Sequence, residues 1–599
     1  MLRPRLVVAI AALGIAGALV WFWIAPARRR GREAPRQPPP PADVFKADVR
    51  PTPPRTPEEE RSGFQLPPGF EIELFASEPD IGKPLNMAFD SRGRLWITQS
   101  REYPHAAADG KGGDKVLILE DSDGDGRADK FIPFAEGLNI PVGVVPVRGG
   151  AVVYSIPYIY RFFDLDGDGR ADDRAVLYGK FAYDDTHGMV SHFRRGFDGW
   201  IYACHGFTNK STVSGRDGNT VVMDSGNTFR FRLDGSRIEH FTHGQVNPFG
   251  LAFDPLGNLY SADCHSQPIY QLLEDADYPH FARPATGIGF GPAMMDHDHG
   301  STAIAGIAYY AAEQFPEEYR GNIFTGNVVT SRINRDSLEA RGSTPFAVAE
   351  VDFVISQDPW FRPVDLQLAP DGSLYVADFY NRIIGHVEVP LDHPGRDKLR
   401  GRIWRIRYRG PGAGARSSGR VRLAGARIEA LLAALGDPNL KVRMLAADEL
   451  VDRVGRTAVE PVRRLVESRA AKPTQKSHGL WVLARLRALE PSLLAAATAD
   501  PDATVRVHAF RILAQEAAWK DSERALALAG LADHDPRVER AAAGAARLHP
   551  DASQVRPLVD LRARIPPADT HLLHATRLAL RDQLRSPGVL ESAARERWP

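Results

Sequence analysis

Two near-identical acidic loops carry the clearest chemistry in this chain of 599 residues. They read DSDGDGRAD and DLDGDGRAD. Carboxylates at alternate positions of a tight loop can converge on one point, and calcium binds six to eight oxygens at about 2.3–2.6 Å. The loops therefore predict two calcium sites. The expected ligands are Asp121, Asp123, Asp125, Asp129 and the carbonyl of Arg127 in the first, and Asp164, Asp166, Asp168, Asp172 and the carbonyl of Arg170 in the second.

These loops match the first nine positions of an EF-hand loop, but Ile132 and Ala175 stand where its twelfth-position Glu is expected. Apolar segments typical of strands flank both loops, so we expect structural calcium in a β context. The alternative is an acidic hairpin turn without metal, although four close carboxylates repel one another unless a cation screens them.

Three histidine-containing stretches, DDTHGMVSH, DCHSQ and MMDHDHGST, offer acid–base chemistry. A histidine beside a carboxylate can act as a general base near neutral pH. The alternatives are a structural hydrogen bond for any single histidine and a transition-metal site formed by these Asp and His residues. The candidates are His187 with Asp185, His205, His265, Asp296, His297 and His299.

Two polar turns add candidate ligand-binding residues. Gln245 and Asn247 lie in HGQVNPFG, and Arg362 lies in DPWFRPVD. An arginine can bind a carboxylate with two parallel hydrogen bonds, whereas the asparagine could contact a ligand or merely cap the turn.

The elements that must position these residues are repeated hairpins. AFDSRGRLWITQS, RRGFDGWIYACHG, AFDPLGNLYSADC and LAPDGSLYVADFY each combine an Asp/Gly turn with alternating aromatic and small residues. Their repetition predicts an all-β propeller, with six blades, over residues 68–410; a β-sandwich is the alternative. Because a propeller gathers equivalent strand ends around one mouth of its channel, candidates from distant positions can meet there.

A composition change near Gly410 marks a second region. After a linker at residues 411–424, residues 425–599 are rich in Ala, Leu and Arg at helical spacing. Asp-Pro begins three segments, at Asp437, Asp500 and Asp535, where the Asp is expected to cap a helix. The pattern is typical of HEAT repeats and predicts an all-α solenoid that offers a surface to a protein partner.

The first 27 residues contain the apolar run LVVAIAALGIAGALVWFWIA, long enough to cross a bilayer as a helix. It predicts a transmembrane anchor, with a signal peptide cleaved near Ala25-Pro26-Ala27 as the alternative. A Pro-rich tether is predicted for residues 28–67. Arginines after the run oppose export, but calcium is abundant outside the cytoplasm. We therefore expect a protein anchored to the membrane and facing the periplasm, or one secreted after cleavage.

Composition excludes several classes. The chain has 75 basic and 75 acidic residues, so no overall field recruits nucleic acid. Its two cysteines, Cys204 and Cys264, exclude both a disulfide framework and a CxxCH haem site, although one disulfide between them is possible.

The stretch FRPVDLQLAPDGSLYVADFYNRIIGHVEVPLDHPGRDKLRGRIWRI, with GFEIELFASEP near the start of the propeller, gives a family resemblance. The chain resembles the large membrane-associated dehydrogenase-like proteins of planctomycetes, whose propeller is similar to PQQ-dependent glucose and sorbosone dehydrogenases. The resemblance implies oxidation of a sugar or polyol. His187, oriented by Asp185, would take the hydroxyl proton, and a quinone cofactor would lie near Gln245, Asn247 and Arg362.

The chain departs from that family at three points: Val246 and Val364 replace cofactor-binding arginines, and the cofactor-binding lysine has no convincing counterpart. Because it also lacks a cytochrome motif, the electrons of any oxidation would leave through a separate acceptor protein. Two alternatives are open. One is a non-catalytic propeller scaffold that binds a glycan or a protein. The other is a metal-dependent hydrolase or lyase that uses Asp296, His297 and His299.

Overall fold

A computed structural model describes residues 49–108, 112–280, 289–301, 303–383, 389–413, 421–596 and 598. The predicted membrane anchor lies outside these residues. Within the described part, no helix combines the length and the apolar character that a bilayer crossing requires.

Six blades form a propeller, which confirms the predicted architecture; their strands pair antiparallel, except that Asp277–Tyr278 pairs parallel with Ile238–Gly244. Blade 1 contains Pro84–Phe89, Leu95–Gln99, Asp114–Glu120 and Lys130–Leu138, and blade 2 contains Gly143–Val147, Gly150–Ser155, Tyr158–Phe163 and Asp173–Gly179. Blade 3 contains Ser191–Arg195, Ile201–His205, Asn227–Phe231, Ile238–Gly244 and Asp277–Tyr278, with the hairpin Lys210–Ser214 and Thr220–Asp224 inserted. Blade 4 contains Asn247–Phe253, Leu259–Cys264 and Ile269–Leu272. Blade 5 contains Ile304–Tyr309, Ile323–Asn327, Arg332–Arg341, Thr344–Ala349, Val354–Ser356 and Phe64–Gln65. Blade 6 contains Pro363–Leu368, Leu374–Asp378, Arg402–Tyr408 and Phe70–Ser77.

Blade 6 closes the ring by pairing Phe70–Ser77 with Arg402–Tyr408, far apart in sequence. In each blade, the strand named first above lies next to the axis. These six strands contact one another in order around it. We call these six the inner strands. The end of the propeller where the inner strands begin is called the upper end, and the opposite end the lower end.

The predicted tether ends earlier than residue 67. Pro57–Ser62 is a helix that Thr56 and Glu59 cap reciprocally. Glu60 from this helix is buried and forms an ion pair with Arg402. The sequence TPEE contains this capping signal, which the abundance of proline obscures.

The repeated Asp/Gly hairpins join the first two strands of blades 1, 3, 4 and 6, at the lower end. Asp254 shows how they form: its Oδ1 accepts the N–H groups of Leu256 and Asn258 at 2.8 and 2.9 Å. Gly257 follows with a φ of 76°, a conformation that favours glycine. Asp254 is buried, and this burial raises its pKa.

The C-terminal region is helical, as predicted. Its helices are Ile428–Ala434, Leu440–Glu449, Val459–Glu467, Pro473–Arg485, Pro491–Thr498, Ala503–Leu513, Asp521–Gly530, Pro536–Leu548, Val555–Arg564, Thr570–Arg585 and Val589–Ala593. Five of them, which we call the inner helices, pack in succession: Leu440–Glu449, Pro473–Arg485, Ala503–Leu513, Pro536–Leu548 and Thr570–Arg585. The HEAT assignment stays a prediction.

The helix caps differ partly from expectation. Asp535 caps its helix directly by accepting the N–H of Arg537. In the other two segments the cap lies two residues later, at Asn439 and Asp502. Asp437 and Asp500 instead accept the N–H of that cap residue, because the Pro that follows them starts a turn before the helix.

The inner helices cover the lower end of the propeller. His508 Nε2 lies 2.9 Å from the Pro255 carbonyl of blade 4, and Arg540 donates to Asn258 Oδ1 at 2.9 Å. Leu440–Glu449 meets the ends of the inner strands, where Leu440, Lys441 and Met444 help to line a cavity of about 140 Å³. The chain's own propeller therefore occupies the inner face of this region.

Candidate active site at the upper end of the propeller

The upper end gathers polar residues from several blades. His187 precedes the inner strand of blade 3 and Asn247 begins that of blade 4, so the fold brings these two predicted residues together. Tyr103 lies beside them, with its ring 5.3 Å from that of His187 and 5.5 Å from that of Phe379. Tyr103 was not predicted from the sequence, because it lies in a loop without a repeated motif.

Asp185 contacts both the ring and the backbone of His187. Its Nδ1 lies 3.2 Å from Asp185 Oδ1, and its backbone N–H donates to the same oxygen at 2.9 Å. The side chains are 15% and 16% exposed. Buried Asn209 fixes this loop through Nδ2, which donates to the Asp185 carbonyl at 2.8 Å. When Nδ1–H donates to Asp185, Nε2 is the basic nitrogen that can accept a proton.

Asn247 supplies an unsatisfied acceptor close to this pair. Its Nδ2 donates to the His187 carbonyl at 3.2 Å. Its Oδ1 is buried and has no hydrogen-bond partner among the described residues. A Cβ at Gly206 would collide with that oxygen, so only glycine fits there. A buried carbonyl oxygen without a donor is costly, and the hydroxyl of a bound ligand can supply that donor.

The turn that carries Asn247 is fixed by Asp263. Asp263 accepts the backbone N–H groups of Val246 and Asn247 at 3.1 and 2.8 Å. Burial raises the pKa of Asp263 to about 7. This carboxyl lies directly before Cys264 and His265.

Lys83 and Arg362 occupy equivalent positions in blades 1 and 6, and both serve the structure. Lys83 Nζ donates to the carbonyls of Phe379 and Tyr380 at 2.9 and 2.7 Å and pairs with Asp397 at 3.2 Å. The Arg362 guanidinium donates to main-chain carbonyls, including that of Asn381 at 2.9 Å. Burial lowers the pKa of Lys83 to about 8 and that of Arg362 to about 9.

The sequence contains a signal for the position of Lys83. Lys83-Pro84, Asn247-Pro248 and Arg362-Pro363 each open an inner strand. A polar residue followed by proline before an Asp/Gly hairpin thus marks the upper end of three blades.

The other predicted channel residues differ in burial and in the groups that they contact. Gln245 is buried, and its Nε2 donates to Ser261 Oγ at 3.2 Å. His205 contacts Ser225 O and Ser211 Oγ at 2.9 and 2.8 Å, and burial lowers its pKa to about 4, so it is neutral at pH 7. His265 is exposed, with a φ of 79°. The two cysteines form no disulfide.

The third histidine stretch does not join this site. His297 and His299 contact Asp336 of blade 5 at 2.7 and 2.9 Å. Asp296, predicted with them, is 82% exposed; its carboxylate lies 3.9 Å from His297 Nδ1, on the side of the ring away from that cluster. The backbone geometry directs the two histidines, and not Asp296, toward the blade.

The acidic loops join the third and fourth strands of blades 1 and 2, at the lower end. Ligand atoms of Asp121, Asp123 and Asp125 lie within 4.8 Å of one another, as do those of Asp164, Asp166 and Asp172. Each loop also joins two blades, because Ala128 donates to the Phe75 carbonyl and Ala171 to that of Phe134, both at 2.8 Å. Calcium binding stays a prediction, as do the remaining ligands Asp129, Asp168 and the carbonyls of Arg127 and Arg170.

The described residues fit poorly around PQQ, whose three carboxylates require cations. Lys83 and Arg362 already bind main-chain carbonyls. Val246 and Val364 are buried and apolar. Each charged hydrogen bond is worth about 1.5–3 kcal/mol, so the loss of several removes much of the affinity.

Comparisons with known proteins fall into three groups. Residues 56–410 match a family described only as a domain of unknown function (DUF7133). No curated protein matches the sequence. Similar solved structures include a "glucose dehydrogenase" (16% identity, 56% of this chain, 98% of that chain, TM-score 0.37). A second is the PQQ-bound aldose sugar dehydrogenase of Streptomyces coelicolor (15% identity, 57% of this chain, 99% of that chain, TM-score 0.36). A third is the PQQ domain of pyranose dehydrogenase from Coprinopsis cinerea (12% identity, 57% of this chain, 97% of that chain, TM-score 0.37).

Proposed function

The chain belongs to this family of unknown function over residues 56–410, and on that premise we propose that its propeller is an oxidoreductase acting on a hydroxyl group of a sugar or polyol. One observation carries the proposal: the His187–Asp185 pair lies beside the unsatisfied Oδ1 of Asn247. A base and an acceptor at hydrogen-bonding distance of one ligand are what activation of a hydroxyl requires.

The residues have separate roles in this reaction. Asn247 Oδ1 accepts a hydrogen bond from a neighbouring hydroxyl and orients the substrate. His187 Nε2 takes the proton of the reacting hydroxyl, while Asp185 stabilises the imidazolium that forms. The carbon gives up a hydride and becomes a carbonyl. Because Lys83 and Arg362 are bound to carbonyls, we assign no step to PQQ. A separate acceptor of the quinone class takes the hydride, and its two electrons then pass to an acceptor protein.

We further propose that the protein is anchored by its N-terminal apolar run and faces the periplasm or another extracytoplasmic space. The two acidic loops support this location, because calcium sites of this kind match extracellular calcium levels. In this proposal calcium stabilises the seams between blades 6, 1 and 2 and takes no part in the reaction.

The test is an oxidation assay on calcium-loaded protein with an artificial electron acceptor and a panel of sugars and polyols. Wild type should oxidise at least one of them. His187→Ala should lower the rate about 10²- to 10⁴-fold at an unchanged melting temperature. His534→Ala, at an exposed histidine of the helical region, is the matched control.

Calorimetric titration of PQQ separates the cofactor question from the reaction. We expect no saturable binding, because the two buried cations are engaged. Saturable binding would show that the upper end holds PQQ after all. No oxidation with or without PQQ would overturn the enzyme proposal.

A second candidate function is recognition without catalysis. A cavity of about 490 Å³ lies between blades 3 and 4 and the inner helices, lined by Trp200, Arg232, Trp481 and Arg511. The Arg232 guanidinium lies 3.9 Å from the Trp200 ring, and Arg511 Nε is buried without a hydrogen-bond partner in the described part of the chain. Aromatic rings beside guanidinium groups suit an acidic glycan. Calorimetric titration of an oligouronate into wild type and Arg232→Ala tests this candidate, which predicts binding to wild type only.

A further inference from the structure

Two imidazoles and one buried carboxylate meet on blade 5, away from the site proposed above. Nε2 of His297 lies 2.7 Å from Asp336 Oδ1, and Nε2 of His299 lies 2.9 Å from Oδ2. The three ligand atoms all lie within 4.8 Å of one another. We propose that His297, His299 and Asp336 bind a divalent transition metal such as zinc.

The fold presents these side chains in a fixed arrangement. The segment that precedes them is held between blades 4 and 5, where Met294 and Met295 are buried. Ala347 donates its N–H to the Met294 carbonyl at 2.7 Å. On the other side, Asn327 Nδ2 donates to the His299 carbonyl at 3.0 Å. Anchors on both sides of the histidines limit the motion of the ligands, which favours metal binding.

The charge of Asp336 requires a partner. The residue is completely buried on its strand. Within the described part of the chain, its ion-pair partners are the two histidines, with no lysine or arginine among them. A buried carboxylate is unfavourable unless a cation or several hydrogen bonds compensate it. A divalent ion between the three side chains supplies that charge.

The ligand chemistry identifies the class of metal. Two imidazole nitrogens and one carboxylate oxygen suit zinc, manganese and ferrous iron, and not calcium, which binds oxygen. Zinc–nitrogen and zinc–oxygen distances are about 2.0–2.2 Å, which places tetrahedral ligand atoms about 3.3–3.6 Å apart. The two nitrogen–oxygen pairs, now at 2.7 and 2.9 Å, therefore need to separate by about 0.4–0.9 Å. Three protein ligands leave one position for water. His297 is 20% exposed and gives solvent access to that position.

The test uses full-length protein treated with a chelator and then supplied with excess calcium, which fills the acidic loops. Zinc is titrated by calorimetry, and cobalt(II) by its visible spectrum, which reports nitrogen ligands. We expect one zinc ion per chain. His297→Ala and His299→Ala should each weaken binding by more than about 10-fold, the smallest loss that even an outer-shell change usually causes.

His534→Ala is the matched control, because it also removes a histidine but lies on the surface of the helical region, outside the cluster. It should bind zinc like wild type. His297 is partly exposed, so its variant should fold normally, which circular dichroism without metal checks; Asp336→Asn serves only as a supporting variant. Equal zinc affinity in wild type, His297→Ala and His299→Ala would overturn the proposal, as would a wild type that shows no saturable binding.

Discussion

The two ends of the propeller differ in what their polar residues contact. At the lower end, polar side chains bond to the inner helices: Asp569 accepts from Ser343 Oγ at 2.8 Å, and Arg540 donates to the Ser343 carbonyl at 2.8 Å. At the upper end, the His187 side chain is partly exposed and Asn247 keeps a buried oxygen without a protein donor. The difference teaches that polarity alone does not mark a functional site. Buried polar groups whose hydrogen bonds are satisfied stabilise the fold, whereas unsatisfied ones beside a base are available for a ligand.

Lys83 and Arg362 sharpen this point, because they lie at the upper end yet resemble the residues of the lower end. Both are buried, and their donors are used by main-chain carbonyls. A residue's position in the propeller therefore indicates only a candidate for the site. The hydrogen-bond partners of that residue determine its role.

The largest loss of stability from a single substitution should come from breaking the lower end. Asp569 caps Thr570–Arg585 and accepts hydrogen bonds from Ser343 and Thr344 of the propeller. Asp569→Ala leaves several buried donors without a partner, so the free energy of unfolding should fall by about 3 kcal/mol. Urea denaturation measures it. Asp521→Ala, at an exposed helix start, is the control and should change stability by less than about 0.5 kcal/mol. Equal losses in both variants would mean that this contact does not hold the helices to the propeller.

Calcium should stabilise the blades at the lower end. At a calcium concentration of 100 times the dissociation constant, each filled site adds about 2.7 kcal/mol to the free energy of unfolding. Thermal unfolding with calcium and with chelator should therefore differ for wild type and much less for the double variant Asp123→Ala, Asp166→Ala. Asp224→Ala, an exposed carboxylate of the inserted hairpin, should respond like wild type. A double variant with the full calcium response would refute the loop assignment.

Acid should lower the free energy of unfolding, because the folded protein contains buried neutral histidines. Burial lowers the pKa of His192 and of His205 to about 4, below the unfolded value of about 6.5. Between these values the unfolded chain binds protons that the native state does not, so stability falls as the pH falls from about 6.5 toward 4. The slope is up to about 1.4 kcal/mol per pH unit for each histidine.

Urea denaturation at neutral pH and near pH 5 measures this slope. His205→Gln should make it shallower, and the exposed-site variant His534→Gln should leave it unchanged. A slope equal in wild type and His205→Gln would show that His205 is not a buried neutral histidine.

The smallest effect is expected for the orientation of the base. Asp185→Asn keeps an acceptor for His187 Nδ1 but removes its charge, so the oxidation rate should fall about five- to tenfold, equivalent to about 1 kcal/mol. Substrate titration should place this loss in kcat and not in KM. Asp184→Asn, at the exposed neighbour, is the control. An increase in KM with an unchanged kcat would instead assign Asp185 to substrate binding.

Part of this structure could be predicted because its signals are local. An Asp/Gly turn between alternating residues forms a hairpin whatever surrounds it, and the four repeated turns lie where the pattern places them. Likewise, Asp121 and Asp164 accept hydrogen bonds from glycines within their own loops. The helical spacing after residue 425 predicted helices for the same reason. The helix Pro57–Ser62 was missed only because proline outweighed its capping box.

The site itself was only partly predictable. The pairing of His187 with Asp185 is local, and the sequence contained it. The use of Arg362 by main-chain carbonyls, the position of the Tyr103 ring beside His187 and the pairing of the two histidines with Asp336 all depend on residues from other strands. No spacing along the chain encodes those contacts.

The sequence by itself determined the hairpins, the acidic loops, the change from strands to helices and the candidate base, because each depends on neighbours within a few residues. Only the tertiary structure decided which polar groups are satisfied. Ring closure through Phe70–Ser77 and the packing of the inner helices against the lower end bring distant donors and acceptors together. A buried polar group that finds its hydrogen-bond partner stabilises the fold. A buried polar group without a partner can bind a ligand instead.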